Sequence, residues 1–185
     1  MYRAISTALA RLLLTLRGVV YGKEFTVLGL PYVRAYGKLI IGDSVTINSG
    51  LKANAVFGVG CNVLISKKNA ELIIGNNVGM SNVTIYSETS ITVGNNTLLG
   101  AGVKIWDTDF HSLDVKTRLS PGDRGLSLPI SIGNNCFIGA GSMILKGVSI
   151  GRNVVIGAGS VVAKDVPDNE VWAGNPCRFI KKINP

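Results

Sequence analysis

From Ile132 onward an aliphatic residue returns at every sixth position, in the units IGNNCF, IGAGSM, ILKGVS, IGRNVV, IGAGSV and VAKDVP. Ile132, Ile138, Ile144, Ile150, Ile156 and Val162 form the first column. The fifth column, Cys136, Ser142, Val148, Val154, Ser160 and Val166, is uniformly of modest size. The fourth holds Asn135, Gly141, Gly147, Asn153, Gly159 and Asp165, residue types that tolerate a left-handed backbone at small cost. One such residue per six predicts a short strand and a sharp corner, repeated, with the aliphatic column turned inward and stacked on its copies. An α-helix would need a period of about 3.6, and glycine at these positions would oppose it.

The same phase runs through IGDSVT (41–46), VGCNVL (59–64), IGNNVG (74–79), VGNNTL (93–98) and LGAGVK (99–104). Small insertions near residues 67–72 and 86–91 shift its register, and the largest break spans about residues 107–129. A break of that size in a solenoid reads as a loop extruded from one corner, where function tends to sit. The stretch WDTDFHSLD opens it and carries the only histidine of the chain, His111, close to Asp107, Asp109 and Asp114.

The first twenty residues follow a different rhythm. Ile5, Leu9, Leu12, Leu16 and Val20 recur at helical spacing, which predicts an amphipathic helix ending near Gly18 or Gly22. Arg3, Arg11 and Arg17 interrupt the segment. It therefore lacks both the apolar run of about 20 residues that a membrane span needs and the uncharged centre of a signal peptide. The stripe is expected to pack on the rest of the chain or on a neighbouring subunit, with shallow contact to an anionic membrane as the other reading. The domain plan is a helix over residues 1–22 and a solenoid over residues 23–185.

At 185 residues the chain can bury a core. Its wealth of Ile, Val and Leu excludes low-complexity disorder, and glycine does not occupy every third position as collagen requires. A formal net charge of +8 suits an anionic partner: nucleic acid, a membrane surface or a phosphorylated small molecule. No helix-turn-helix, zinc-knuckle or RNP-like pattern speaks for nucleic acid. Cys61, Cys136 and Cys177 form no C-x-x-C pair, so they are read as small apolar residues in a reducing, cytoplasmic setting.

On these units, on DTDFHSLD in an extruded loop, and on the closing run IGAGSVVAKDVP…VWAGNPCRFIKKI, the chain resembles the hexapeptide-repeat acyltransferases. The likeness covers about Lys38 to Ile183 and is greatest to the galactoside, maltose and surface-polysaccharide sugar O-acetyltransferases. It implies an all-β fold: a left-handed parallel β-helix, triangular in section, with three hexapeptides per coil, an extruded loop and a short N-terminal helix. The handedness comes from the resemblance alone, since parallel crossovers are normally right-handed. Further implications are a homotrimer with active sites between subunits, acetyl-CoA as donor, and no metal.

Transfer from a thioester to a sugar hydroxyl requires removal of the hydroxyl proton as attack occurs. A neutral imidazole, with an unperturbed pKa of about 6.5, suits that task, and the resemblance makes His111 the general base. Asp109, Asp107 or a backbone carbonyl would accept the other ring N–H; otherwise the aspartates shape the turn through side-chain to backbone hydrogen bonds. For the CoA side, which includes the segment of about 168–185, the resemblance nominates Phe137, Ala140, Ala158, Gly159, Ala163, Lys164, Arg178 and Lys181. Phe137 stands where the family has tryptophan, Ala163 where galactoside acetyltransferase has threonine, and Lys181 at a family arginine position. Asn82, Glu88 and Asp107 are nominated for the acceptor, and Arg118 and Arg124 for an anionic acceptor such as a nucleotide-sugar.

A γ-type carbonic anhydrase on the same solenoid would need three histidines on zinc, and the chain has one. A non-catalytic scaffold would need neither the histidine-bearing loop nor the basic C-terminal segment. The reading is thus acetyl-CoA-dependent O-acetylation of a sugar in surface-polysaccharide biosynthesis. N-acetylation of an amino-sugar nucleotide and streptogramin-type antibiotic acetylation are the alternatives, and a peripheral membrane contact through the N-terminal helix is left open.

Overall fold

The computed structural model describes residues 2–50 and 60–183; Val59, which heads VGCNVL, lies outside the described residues. Each coil passes through three short strands, as in Ser90–Val93, Leu98–Leu99 and Lys104–Trp106. The next coil then lies in parallel register upon it, Ile91 beside Ile130 and Ile105 beside Ile144. Stacking produces three sheets of six, eight and six strands among the described residues. Between the strands of these sheets the one antiparallel pairing is the closing hairpin, Glu170–Ala173 with Arg178–Lys182. The fold is the left-handed parallel β-helix that the repeats and the resemblance implied.

The corners form where the fourth column allows them. Asn135, Gly141, Gly147, Asn153 and Gly159 have φ between 53° and 77°, and Ser44, Asn77, Asn96 and Gly102 repeat that conformation in the earlier units. Asparagine also ties one corner to the next. Asn76 N donates to Asn95 Oδ1 at 2.8 Å and Asn95 N to Asn134 Oδ1 at 2.7 Å, so the side chain satisfies backbone donors that a bend would leave unpaired. Asp165 departs from the rule: it has no positive φ, and its carboxylate accepts from Ser149 N at 2.8 Å.

Inside, the first column from Ile132 to Val162 is at most 2% exposed, each aliphatic side chain contributing about 1.5–3 kcal/mol by leaving water. Ser142 and Ser160 in the fifth column are equally buried, and both hydroxyls donate to Gly157 O, at 2.9 and 2.6 Å.

Helix α1 (Tyr2–Leu16) closes the first coil, and the chain turns out of it through Gly18, at φ 68°. Its buried face is Ser6, Ala10 and Leu14. The stripe expected to pack on the rest of the chain or on a neighbouring subunit, Ile5, Leu9, Leu12, Leu16 and Val20, does not pack within its own chain, where it is between 43% and 74% exposed. The reason lies in what the helix covers. A terminal strand presents unpaired carbonyls, which polar side chains satisfy and leucines cannot. Ser6 Oγ donates to Val27 O at 2.7 Å, Arg11 to Phe25 O at 3.3 Å, and Arg17 to Val33 O. Ala10 is small enough to let the helix approach that closely.

Candidate active site

The loop of residues 107–129 leaves the corner after Lys104–Trp106 and re-enters at Ile130–Ile132. Its neck is a short antiparallel ribbon: Thr108 bridges Ser127, Asp109 N donates to Leu126 O at 3.0 Å, and Leu128 N to Asp107 O at 2.9 Å. A helical turn, α2 (Val115–Arg118), lies at the tip. Asp114 caps it, accepting from Thr117 N at 2.8 Å and from the Thr117 hydroxyl at 2.9 Å. These bonds stabilise the carboxylate and hold its pKa below the ordinary value. Arg118 reaches back to Ser112 O and Leu113 O, at 2.8 and 3.1 Å, and so braces the loop.

Asp107 does not face an acceptor. It is fully buried, and its two oxygens accept from Glu88 N at 2.7 Å, Thr89 N at 2.8 Å, Thr89 Oγ1 at 2.8 Å and Ser90 N at 2.9 Å. The carboxylate clasps the preceding corner, which is the turn-shaping reading, and its nomination as a substrate ligand is corrected. Asp109 is likewise placed differently from expectation as the partner of the imidazole. Its carboxylate pairs with Lys146 Nζ at 2.9 Å, while its backbone carbonyl accepts from His111 N at 2.7 Å.

The group at the His111 ring is Asp123. Nδ1 lies 2.6 Å from Asp123 Oδ2, and Ser112 N donates to the other carboxylate oxygen at 2.8 Å. The Ser112 amide, followed by the His111 ring, holds the Asp123 carboxyl below its ordinary value of 3.8, so it is an acceptor at neutral pH. Nδ1 is therefore the donor, and in the neutral ring Nε2 carries the lone pair. The His111 side chain is 72% exposed, and among the described residues nothing bonds Nε2. Sequence reasoning passed over Asp123 because it lies 12 residues from His111, in the turn PGDRG; only the return of the loop on itself brings the two together.

Two further residues fix the loop. Phe110, at φ 61°, is held in a conformation costly for a bulky side chain. Its ring packs 5.0 Å from Tyr86 and 6.3 Å from Trp106. Gly125 passes so close behind that a Cβ there would lie 2.6 Å from Phe110 N and 2.9 Å from His111 N. On one side of the loop lies a cleft of about 680 Å³. Lys67, Lys68, Tyr86, Glu88, Phe110, Asp123 and Arg124 line it. Tyr86, pushed up to about 12 by burial and then by Glu88, stays neutral and donates to Glu88 Oε2 at 3.1 Å. A second cleft of about 410 Å³ lies between the loop and Lys146.

The other nominated residues divide between edges of the prism. Glu88 shares the larger cleft with Asp123. Asn82 sits at the preceding corner with φ 49°, its Oδ1 accepting from Gly50 N at 2.9 Å, so the chain does not bring it to His111. Ala163 and Lys164 are exposed on the corner that also bears the loop. Ala140 and Ala158 stack on a different corner, where Gly159 N donates to Ala140 O at 2.8 Å. Phe137 is exposed on the adjacent face, and Arg178 and Lys181 stand exposed on the closing hairpin.

Residues 129–164 match a family model described as the hexapeptide repeat of succinyl-transferase. The Escherichia coli (strain K12) protein "Putative lipopolysaccharide biosynthesis O-acetyl transferase WbbJ" is 32% identical over 173 residues, 89% of this chain and 83% of that one. A galactoside acetyltransferase solved in complex with coenzyme A is 39% identical, with a TM-score of 0.53 over 63% of each chain. A variant of AntD, an N-acyltransferase from Bacillus cereus, superposes with a TM-score of 0.76 over 95% of this chain and 89% of its own. At 19% identity that likeness speaks for the fold alone. The chain spans about half the length of other curated relatives it matches, 57%, 48% and 49% of three of them.

Proposed function

The chain belongs to the hexapeptide-repeat acetyltransferase family, and we propose that it moves an acetyl group from acetyl-CoA to a sugar hydroxyl in the biosynthesis of a surface polysaccharide. The observation that carries this reading is the 2.6 Å contact between His111 Nδ1 and the Asp123 carboxylate on an exposed loop. With the tautomer fixed, Nε2 takes the hydroxyl proton as the sugar oxygen bonds to the thioester carbonyl carbon. The carbon–sulfur bond then breaks, and Nε2 returns the proton to the departing thiolate. Asp123 is a positioning residue that also stabilises the imidazolium.

Acetyl-CoA fits the remaining surface. At Gly159 an added Cβ would meet open space, so a slender pantetheine arm can approach the backbone beside Ala158 and Ala140. Lys164, Arg178 and Lys181 supply exposed cations for its phosphates, and Phe137 an exposed ring for stacking. Apart from Lys164, which shares the corner that bears the loop, these residues stand on other edges of the prism than His111. A homotrimer, in which one subunit's loop faces a neighbour's coil, makes them one site, and Asn82 would reach the acceptor from such a neighbour. Surface-polysaccharide chemistry is supported by the likeness to the Escherichia coli protein, and a cytoplasmic setting by the CoA donor.

The test is thiol release from acetyl-CoA with a panel of sugars, read together with the mass of the product. His111→Ala is expected to lower kcat/KM by about 10²–10⁴-fold. Asp123→Asn should lower kcat strongly with KM for acetyl-CoA little changed, and Asp109→Asn should act much less on kcat. Equal acceptor-dependent rates in wild type and His111→Ala would overturn the base, and acetylation confined to amines would overturn the acceptor class.

A further inference from the structure

We propose that the outer face of α1 is a docking surface for an anionic lipid bilayer. The face is what remains after the helix has closed the first coil. Ser6, Ala10 and Leu14 turn inward, while Ile5, Leu9, Leu12 and Leu16, followed by Val20, lie along the opposite side of the helix. No helix among the described residues is long and apolar enough to cross a membrane, so the contact is a shallow one, with aliphatic side chains entering the boundary between headgroups and acyl chains.

Charge selects the occupant. Residues 2–40 carry Arg3, Arg11, Arg17, Lys23, Arg34 and Lys38 against a single carboxylate, Glu24. Among the described residues only Lys38 of these six has an ion pair, with Glu71. Arg11 and Arg17 bond to backbone carbonyls, which orient the guanidinium without neutralising it. An apolar strip on a terminal segment that is net basic is complementary to anionic headgroups. A second copy of the chain fits poorly. A 15-residue helix is about 22 Å long and offers roughly 200 Å² on one face, against the ~800 Å² per partner of a stable interface. Cap-to-cap docking would also set two net basic segments against each other.

The test is co-sedimentation of the full chain with vesicles of phosphatidylcholine alone or of equal parts phosphatidylcholine and phosphatidylglycerol. Binding is expected to the anionic vesicles only, and to weaken as salt is added. Leu9→Ser with Leu12→Ser should reduce partition roughly a hundredfold, and Arg3→Gln with Lys23→Gln roughly thirtyfold. Circular dichroism and activity toward a soluble acceptor should not change, since all four side chains are exposed. Either of two results overturns the proposal: vesicle binding that is absent or indifferent to the leucine pair, or a light-scattering mass that falls when the leucines are replaced, which would put a second copy on this face.

Discussion

The imidazole of His111 rests on Asp123 and leaves Nε2 without a partner among the described residues, while two nearer carboxylates serve elsewhere, Asp107 on backbone amides and Asp109 on Lys146. Their separation in sequence did not reveal this division. A carboxylate's role follows from the donors its local backbone turns toward it, and the Asp107 carboxylate meets three amides of one corner. Asp123 also carries a pH consequence. Its folded pKa lies below 3.8, so near that value the unfolded chain binds more protons than the folded one. Its contribution to loop stability is complete above 3.8 and is lost as pH falls through the lower folded value. The Asp123 carboxyl carbon resonance should therefore titrate below 3.8; a midpoint above it would contradict the anchoring by Ser112 and His111.

At the scale of elements, the loop and the helix are the two departures from the repeat, and the chain reveals them unequally. The hexapeptide phase breaks at Asp107 and resumes near Ile130, so the bounds of the loop are legible. Its interior is not, because it depends on the close pass of Gly125 behind Phe110 and His111. Gly125→Ala is expected to displace the His111 backbone and lower kcat by about tenfold or more, since misplacement by an ångström can cost far more than that. Gly122→Ala, where an added Cβ meets only Ser120 Oγ at 3.9 Å, should leave kcat unchanged. If the two variants behave alike, Gly125 has no special place. For α1 the apolar periodicity located the helix but not the face it turns to its own chain. Periodicity reports where apolar groups cluster, whereas a helix covering the last strand of a sheet must turn hydrogen-bond donors toward carbonyls.

For the whole molecule, all the nominated CoA residues but Ala163 and Lys164 lie on other edges of the prism than the His111 loop, and the proposed mechanism calls for assembly. Light scattering should give a mass three times the 19.5 kDa of one chain, with activity falling on dilution as the trimer dissociates. A fully active monomer would refute the arrangement. The repeat by itself determined the solenoid, its corners and its core. Those are set by interactions between residues six apart and their copies one coil on, which a linear pattern records. Tertiary structure alone decided that Asp123 meets His111, that Asp107 is buried, and that the leucines of α1 face outward. Each of these turns on which distant backbone groups a fold brings within hydrogen-bonding distance, a matter of three-dimensional return that no local period encodes.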